Sequence, residues 1–176
     1  SPETKRISNL VAELREIYRP PAIPTGTVVN LVNVVNEVHS LIRNELDKGN
    51  VEWVVDPIGS SGWDTTGNPD QIKQVFINLC INAIEAMQPQ GGQLELSFTH
   101  GSPESKEIGV LVRDTGPGIS TDYLDRLFEP FQTTKTKGAG LGLAISYEII
   151  QRHKGRLTAR NYEGGAEFGV WLPTTS

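Results

Sequence analysis

Apolar and polar residues recur along this chain with two different periods, and the changes of period divide it into elements. Ile7, Leu10, Val11, Leu14 and Ile17 return at three- and four-residue intervals, which puts one apolar stripe on a helix that has to stop at Pro20-Pro21. Residues 1–18 thus read as the end of a helix and 19–26, with three prolines, as a stiff linker; the compact domain is expected over 27–176. Leu31, Val34, Val35, Val38, Leu41, Ile42 and Leu46 resume the helical period and predict a helix over roughly 31–48, stopped by Gly49-Asn50. Residues 51–55 read as a short strand and the Gly/Ser/Asp/Thr-rich run 57–68 as a loop. A further helix starts at Pro69, a residue suited to a first helical turn, and runs to about Met87.

Two strands follow, 93–99 and 108–113, then a stretch over 114–140 with little periodicity, of the length that usually carries function. A helix over 141–152 and two strands, 156–161 and 166–172, close the chain around Glu163-Gly164-Gly165. The last four strands pair naturally as two consecutive hairpins. The expected class is α+β: a two-layer α/β sandwich whose mixed, mainly antiparallel sheet carries helices on one face.

Composition narrows the function. A chain of 176 residues buries enough surface to need no metal or disulfide staple, and its single cysteine, Cys80, rules out an internal disulfide and suits a reducing, cytoplasmic location. With 21 acidic against 16 basic residues the net charge is −5, which argues against a binder of nucleic-acid backbones. The longest apolar run, 75–84, is broken by Asn78 and falls short of the ~20 residues a membrane helix needs, so no membrane contact is expected. Ser1-Pro2 opens the chain without an initiating Met, and the sequence reads as a piece of a longer protein whose anchor or sensor, if any, lies elsewhere.

Three polar anomalies mark where chemistry belongs. In the otherwise apolar helix 75–84, Asn78 and Asn82 are four residues apart and share one face, continued by Gln71, Gln74 and Glu85. Such a stripe is a solvated edge or, where it faces a cleft, a pair of amides able to hold a hydrated Mg²⁺. Asp114-Thr-Gly116-Pro-Gly118 follows a strand directly, so that one carboxylate sits beside backbone a ligand can approach closely; it is an ordinary turn or an acceptor for an exocyclic amine such as that of adenine. Gly138-Ala-Gly140-Leu141-Gly142-Leu143 opens a helix and offers free N–H groups to phosphate, yet it is neither a P-loop nor a dinucleotide fingerprint.

In this order the motifs resemble the boxes of the catalytic, ATP-binding domain of sensor histidine kinases, a branch of the ATPase superfamily that includes gyrase, the large heat-shock chaperones and mismatch-repair ATPases. The resemblance covers roughly 27–173. Asn78 to Met87 looks like the N box, Asp114 to Ile119 the first glycine box, Phe128-Glu-Pro-Phe131 with Thr133-Thr134-Lys135 the F box, Gly138 to Leu143 the second glycine box, and Gly164 to Phe168 the terminal glycine element. It implies a Bergerat-type fold with ATP and Mg²⁺ as cofactors and 114–140 as an ATP lid. By the same resemblance Asp114 binds the adenine amine, with Gly116, Gly118 and Ile119 shaping the start of the lid. Asn82 coordinates Mg²⁺ with Asn78 assisting, Gly138, Gly140, Leu141, Gly142 and Leu143 form the phosphate turn through their backbone, and Phe128 and Phe131 anchor the lid.

Many relatives carry Lys or Arg three residues after the metal-binding Asn, where this chain has Glu85; the nitrogen-regulation type also lacks it, and Lys135 or Lys137 is the candidate for that charge, beside Thr134. The reaction implied transfers the γ-phosphoryl group of ATP to a histidine on a separate dimerisation hairpin, and from there to the receiver domain of a response regulator. Residues 1–18 would end that hairpin, whose acceptor half is missing, and the whole protein would be a homodimer. His39, His100 and His153 do not sit where the acceptor belongs. Three other readings are an ATPase of the gyrase kind, disfavoured because Asn78 stands where such enzymes carry their general-base Glu, an anti-sigma-type serine kinase, and a degenerate nucleotide-binding docking module.

Overall fold

The computed structural model describes residues 26–129 and 137–175. Twelve elements run in the order β1 (Val28–Asn30), α1 (Leu31–Leu41), α2 (Arg43–Gly49), β2 (Val51–Val55), β3 (Asp64–Thr66), α3 (Pro69–Ala86), β4 (Gly92–His100), β5 (Glu107–Asp114), α4 (Thr121–Leu124), α5 (Lys137–Arg152), β6 (Arg156–Tyr162) and β7 (Gly165–Pro173). The readings made for the leading helix, the linker up to residue 25, and the lid residues Phe131, Thr134 and Lys135 lie outside the described residues.

Five strands form one sheet in the order β2-β4-β5-β7-β6, in which only the β2–β4 pair is parallel. That parallel pair needs a crossover, and α3 lies within the connection. Period-two alternation turns Leu94, Leu96, Ile108, Val110, Val112, Leu157, Phe168, Val170 and Leu172 toward the helices, all of them buried. β1 and β3 form a separate antiparallel pair, with Val29 opposite Thr65.

The helix α3 is the spine of the helical layer. Asn68 caps it by accepting from the Gln71 N–H (3.1 Å), and Pro69 occupies the first turn, where its missing N–H costs nothing. Ile72, Val75, Phe76, Ile77, Leu79, Cys80, Ile81, Ala83 and Ile84 are all buried, so this helix is covered nearly all round, unlike an amphipathic surface helix.

Three details depart from the sequence expectation. The helix expected over 31–48 is two helices joined at Ile42, which is buried while Leu41, counted in the apolar stripe, is 60% exposed. A strand, β3, falls inside the run read as loop, because Thr65 finds partners in β1 and its hydroxyl donates to the Pro173 carbonyl (2.6 Å). The helix α5 starts at Lys137, four residues earlier than expected, and takes up the glycine run 138–142. Asn50 does stop the preceding helix, in the left-handed conformation at φ 55°.

Candidate functional site

Asn78 sits where α3 meets α5. It is 5% exposed, and its Nδ2 donates to the carbonyl of Gly142 and to the hydroxyl of Ser146, both at 3.2 Å. Its Oδ1 is buried and has no hydrogen-bond partner among the described residues. An unsatisfied buried amide oxygen costs about 1–3 kcal/mol, so this acceptor gains from any donor or cation that reaches it. Asn82 lies one turn further along the same face and is half-buried.

The same line of α3 leads to the end of β5. A Cβ on Gly116 would stand 3.3 Å from the Ala86 carbonyl, and Ala86 follows Asn82 by one more turn. At 1.5 Å per residue, Asn78, Asn82 and the Gly116 turn are spread over about 12 Å of helix. Met87, which ends the helix, also touches this turn through its sulfur, 3.5 Å from the Thr115 hydroxyl.

Asp114 closes β5 with 3% exposure. Its Oδ1 accepts from the backbone N–H of Gly116 (2.9 Å) and of Ala166 in β7 (3.4 Å), which fixes the carboxylate against a rigid frame. Gly165 has to be glycine: its φ is 151°, and a Cβ there would come within 2.2 Å of the Asp114 carbonyl oxygen. That carbonyl accepts from the Tyr162 hydroxyl (2.8 Å); burial, and then the Asp114 charge, raise the phenol above its ordinary pKa and keep it a donor. Gly118 takes φ 85°, and the next residue, Ile119, is held at both backbone groups by the Asn161 side chain, whose Oδ1 and Nδ2 each lie 2.7 Å away.

The second glycine run opens α5: the N–H groups of Lys137 and Gly138 lie in the first turn and lack intrahelical acceptors, whereas Gly140, expected ahead of the helix, and Leu141, expected at its start, already fall within its hydrogen-bonded part; the side chains of 137–141 lie outside the described residues. Gly142 approaches Asn78, while Leu143, at 4% exposure, belongs to the core. Phe128, at the end of the described part of the lid, stacks on Tyr147 of α5 with ring centroids 5.3 Å apart. Cys80 is buried and its thiol is pushed up to about 12, so it is no nucleophile at neutral pH.

These oxygen donors suit a hard cation. Among the described residues no group of three or more His, Cys, Asp or Glu gathers as a metal cage, and an amide oxygen without a partner is the kind of sparse ligand that Mg²⁺ accepts when phosphates supply the rest.

Residues 67–176 match the family of histidine kinase-, DNA gyrase B- and HSP90-like ATPases. The chain belongs to that family. Sporulation kinase E of Bacillus subtilis strain 168 is 34% identical over 172 residues, 97% of this chain and 23% of that protein. The sensory histidine kinase/phosphatase NtrB of Escherichia coli O157:H7 is 33% identical, over 97% of this chain and 50% of its own length. The chain therefore spans between about a quarter and a half of these curated relatives. Among solved structures, the nucleotide-free catalytic domain of the histidine kinase ThkA superposes with a TM-score of 0.74 at 32% identity, covering 85% of this chain and 95% of that domain. ThkA in complex with the response regulator protein TrrA gives 0.77 at 28% identity over 98% of this chain and 48% of that one. The mixed sheet with its helical layer is thus the fold of histidine kinase catalytic domains, as the sequence motifs imply, and the family's ATP binding comes with it.

Sequence reasoning missed three residues that frame this site. Asn161 and Tyr162 lie in β6, and Ser146 in an apolar helix. None belongs to a box, although Ser146, a lone hydroxyl among Leu143, Ile145, Ile149 and Ile150, breaks an apolar pattern visible in the sequence.

Proposed function

We propose that residues 27–176 are the ATP-binding catalytic domain of a sensor histidine kinase, which transfers the γ-phosphoryl group of ATP to a histidine on a separate dimerisation hairpin for relay to the receiver domain of a response regulator. The observation that carries this reading is the Asn78 amide, its nitrogen bound to α5 and its oxygen buried with no partner among the described residues. Such an atom fits a cation-assisted phosphate site better than a docking surface.

In this reading Asp114 takes the exocyclic amine of adenine, beside Gly116, Gly118 and Ile119. Asn82, with Asn78, holds Mg²⁺, which neutralises phosphate charge when bound. The glycine run from Gly138 through Leu143 takes the phosphates at the start of α5, where the N–H groups of Lys137, Gly138 and Ala139 have no intrahelical acceptor and those of Gly140 to Leu143 have to leave their helical bonds to join them, with Thr134, Lys135 and Lys137 supplying lid contacts and Phe131 lid packing. Phosphoryl transfer asks a protein mainly for positioning and charge stabilisation, so a domain with no nucleophile of its own suffices. Asn78 stands where hydrolysing relatives carry a glutamate base, which favours transfer over hydrolysis. The complex of ThkA with TrrA supports a response regulator as partner, and in this reading the kinase portion is homodimeric and cytoplasmic.

The test is incubation of the chain with γ-labelled ATP, Mg²⁺ and the parent protein's hairpin. Acid-labile label on the hairpin histidine is the expected outcome, lost in Asn82→Ala. Release of inorganic phosphate alone would point to an ATPase, acid-stable label on a partner to a serine kinase, and nucleotide binding without turnover to a docking module.

A further inference from the structure

An asparagine amide can present either its oxygen or its NH₂ group to a ligand, and only the oxygen binds a cation. At Asn78 the choice is made by α5. The Gly142 carbonyl can only accept, so the atom facing it has to be nitrogen, and the second hydrogen of that nitrogen goes to the Ser146 hydroxyl at the same distance, 3.2 Å. With both Nδ2 hydrogens taken by α5, Oδ1 points away from that helix, buried and without a partner among the described residues.

Ser146 itself is fully buried, at 0% exposure, on the inner face that Leu143, Ile145, Ile149 and Ile150 otherwise fill. Alanine would form helix more readily there and bury no polar atom. The hydroxyl is therefore accounted for by its bond to Asn78, from the neighbouring helix and 68 residues distant in the chain.

We propose that Ser146 is a positioning residue for the cation: it completes the pair of acceptors that locks the Asn78 amide with its oxygen toward the Mg²⁺ accompanying the nucleotide. The proposal deepens the ATP-site reading and rests on it. Without Ser146 the amide keeps one anchor, turns more freely about its last torsion, and presents the oxygen only part of the time.

The experiment titrates ATP into the 176-residue chain by calorimetry, with Mg²⁺ and with EDTA, for the unsubstituted protein, Ser146→Ala and Ser146→Thr. In Ser146→Ala the gain in affinity that Mg²⁺ brings is expected to fall by roughly three- to tenfold, the worth of one net hydrogen bond, while affinity in EDTA stays the same. Ser146→Thr keeps the hydroxyl and retains the gain. An unchanged Mg²⁺ gain in folded Ser146→Ala, or an equal loss with and without Mg²⁺, overturns the proposal. A second readout needs no nucleotide: the Asn78 side-chain NH₂ resonances of the free protein are expected to be protected from exchange, and one of the two protons loses that protection in Ser146→Ala. Unaltered protection overturns the positioning role whatever the nucleotide does. Failure of the unsubstituted chain to bind ATP in either buffer would instead overturn the ATP-site reading.

Discussion

The imidazole of His153, just beyond α5, accepts a hydrogen bond from the backbone N–H of Asn68, the residue that caps α3, with Nε2 and N 3.1 Å apart. Its other nitrogen, Nδ1, lies 2.8 Å from the Ile149 carbonyl, which fixes that side as the donor. The ring is thus a neutral link between the two helices that hold Asn78 between them, and Gly67 leaves room for it, since a Cβ there would fall 2.2 Å from the ring.

That link is sensitive to acid. Burial lowers the His153 pKa, only partly opposed by the bond to Ile149; protonation would also put a second donor on Nε2 against the Asn68 N–H. Below the ordinary imidazole value of ~6.5 the unfolded chain binds a proton that the folded chain resists, so stability declines as pH falls through that range. His39, stacked on Trp53 and lowered by burial and then by Arg43, adds to the same slope. Urea melts between pH 7.5 and 5 are expected to show this decline, and His153→Gln, which does not titrate, to show a shallower one. An identical slope in the variant would refute the assignment.

On the outer face of the sheet, Glu167 binds two arginines, Arg113 at 2.7 Å and Arg160 at 2.7 Å and 3.1 Å. Burial works against its charge, but the bonds from Arg160 and Arg113 outweigh it and hold the carboxyl below the usual carboxylate range. The stability this brings is present above that range and is lost as pH falls through the depressed value. Glu167→Ala is expected to cost about 1–2 kcal/mol in urea melts near neutral pH, mostly through Arg113. Arg160→Ala should cost little, since that side chain is 60% exposed.

The turn after Asp114 depends on Asn161. Its side chain meets both backbone groups of Ile119, so Asn161→Ala is expected to speed hydrogen exchange at the Ile119 N–H by at least tenfold while the β5 amides keep their protection. Unchanged exchange at Ile119 would show that the turn holds itself.

The alternation along 93–99 and 108–113 foretold the sheet because one face of each strand is more deeply buried than the other, while 166–172, buried on both faces up to Val170, was legible from its turn and its apolar run. The boxes around Asn78, Asp114 and Gly142 were legible for a similar reason, each placing polar or glycine residues where packing alone would call for something else. The break at Ile42 was not legible, since no Pro or Gly marks it and the apolar period runs straight across. Nor was β3, whose three residues gain strand character only from partners 34 to 38 residues earlier in the chain, Val28 opposite Thr66 being the outermost pair. Ser146, Asn161, Tyr162 and His153 act through contacts between distant segments, which no local pattern records.

The central claim is that the Asp114 carboxylate receives the adenine of ATP, and calorimetric titration of ATP with Mg²⁺ into the unsubstituted chain and Asp114→Asn tests it most directly. The account predicts saturable binding by the unsubstituted chain and a weakening of about ten- to a hundredfold in the variant, the worth of a hydrogen bond to a charged group. Equal affinity in a folded Asp114→Asn, or no binding by the unsubstituted chain at millimolar ATP, would contradict it.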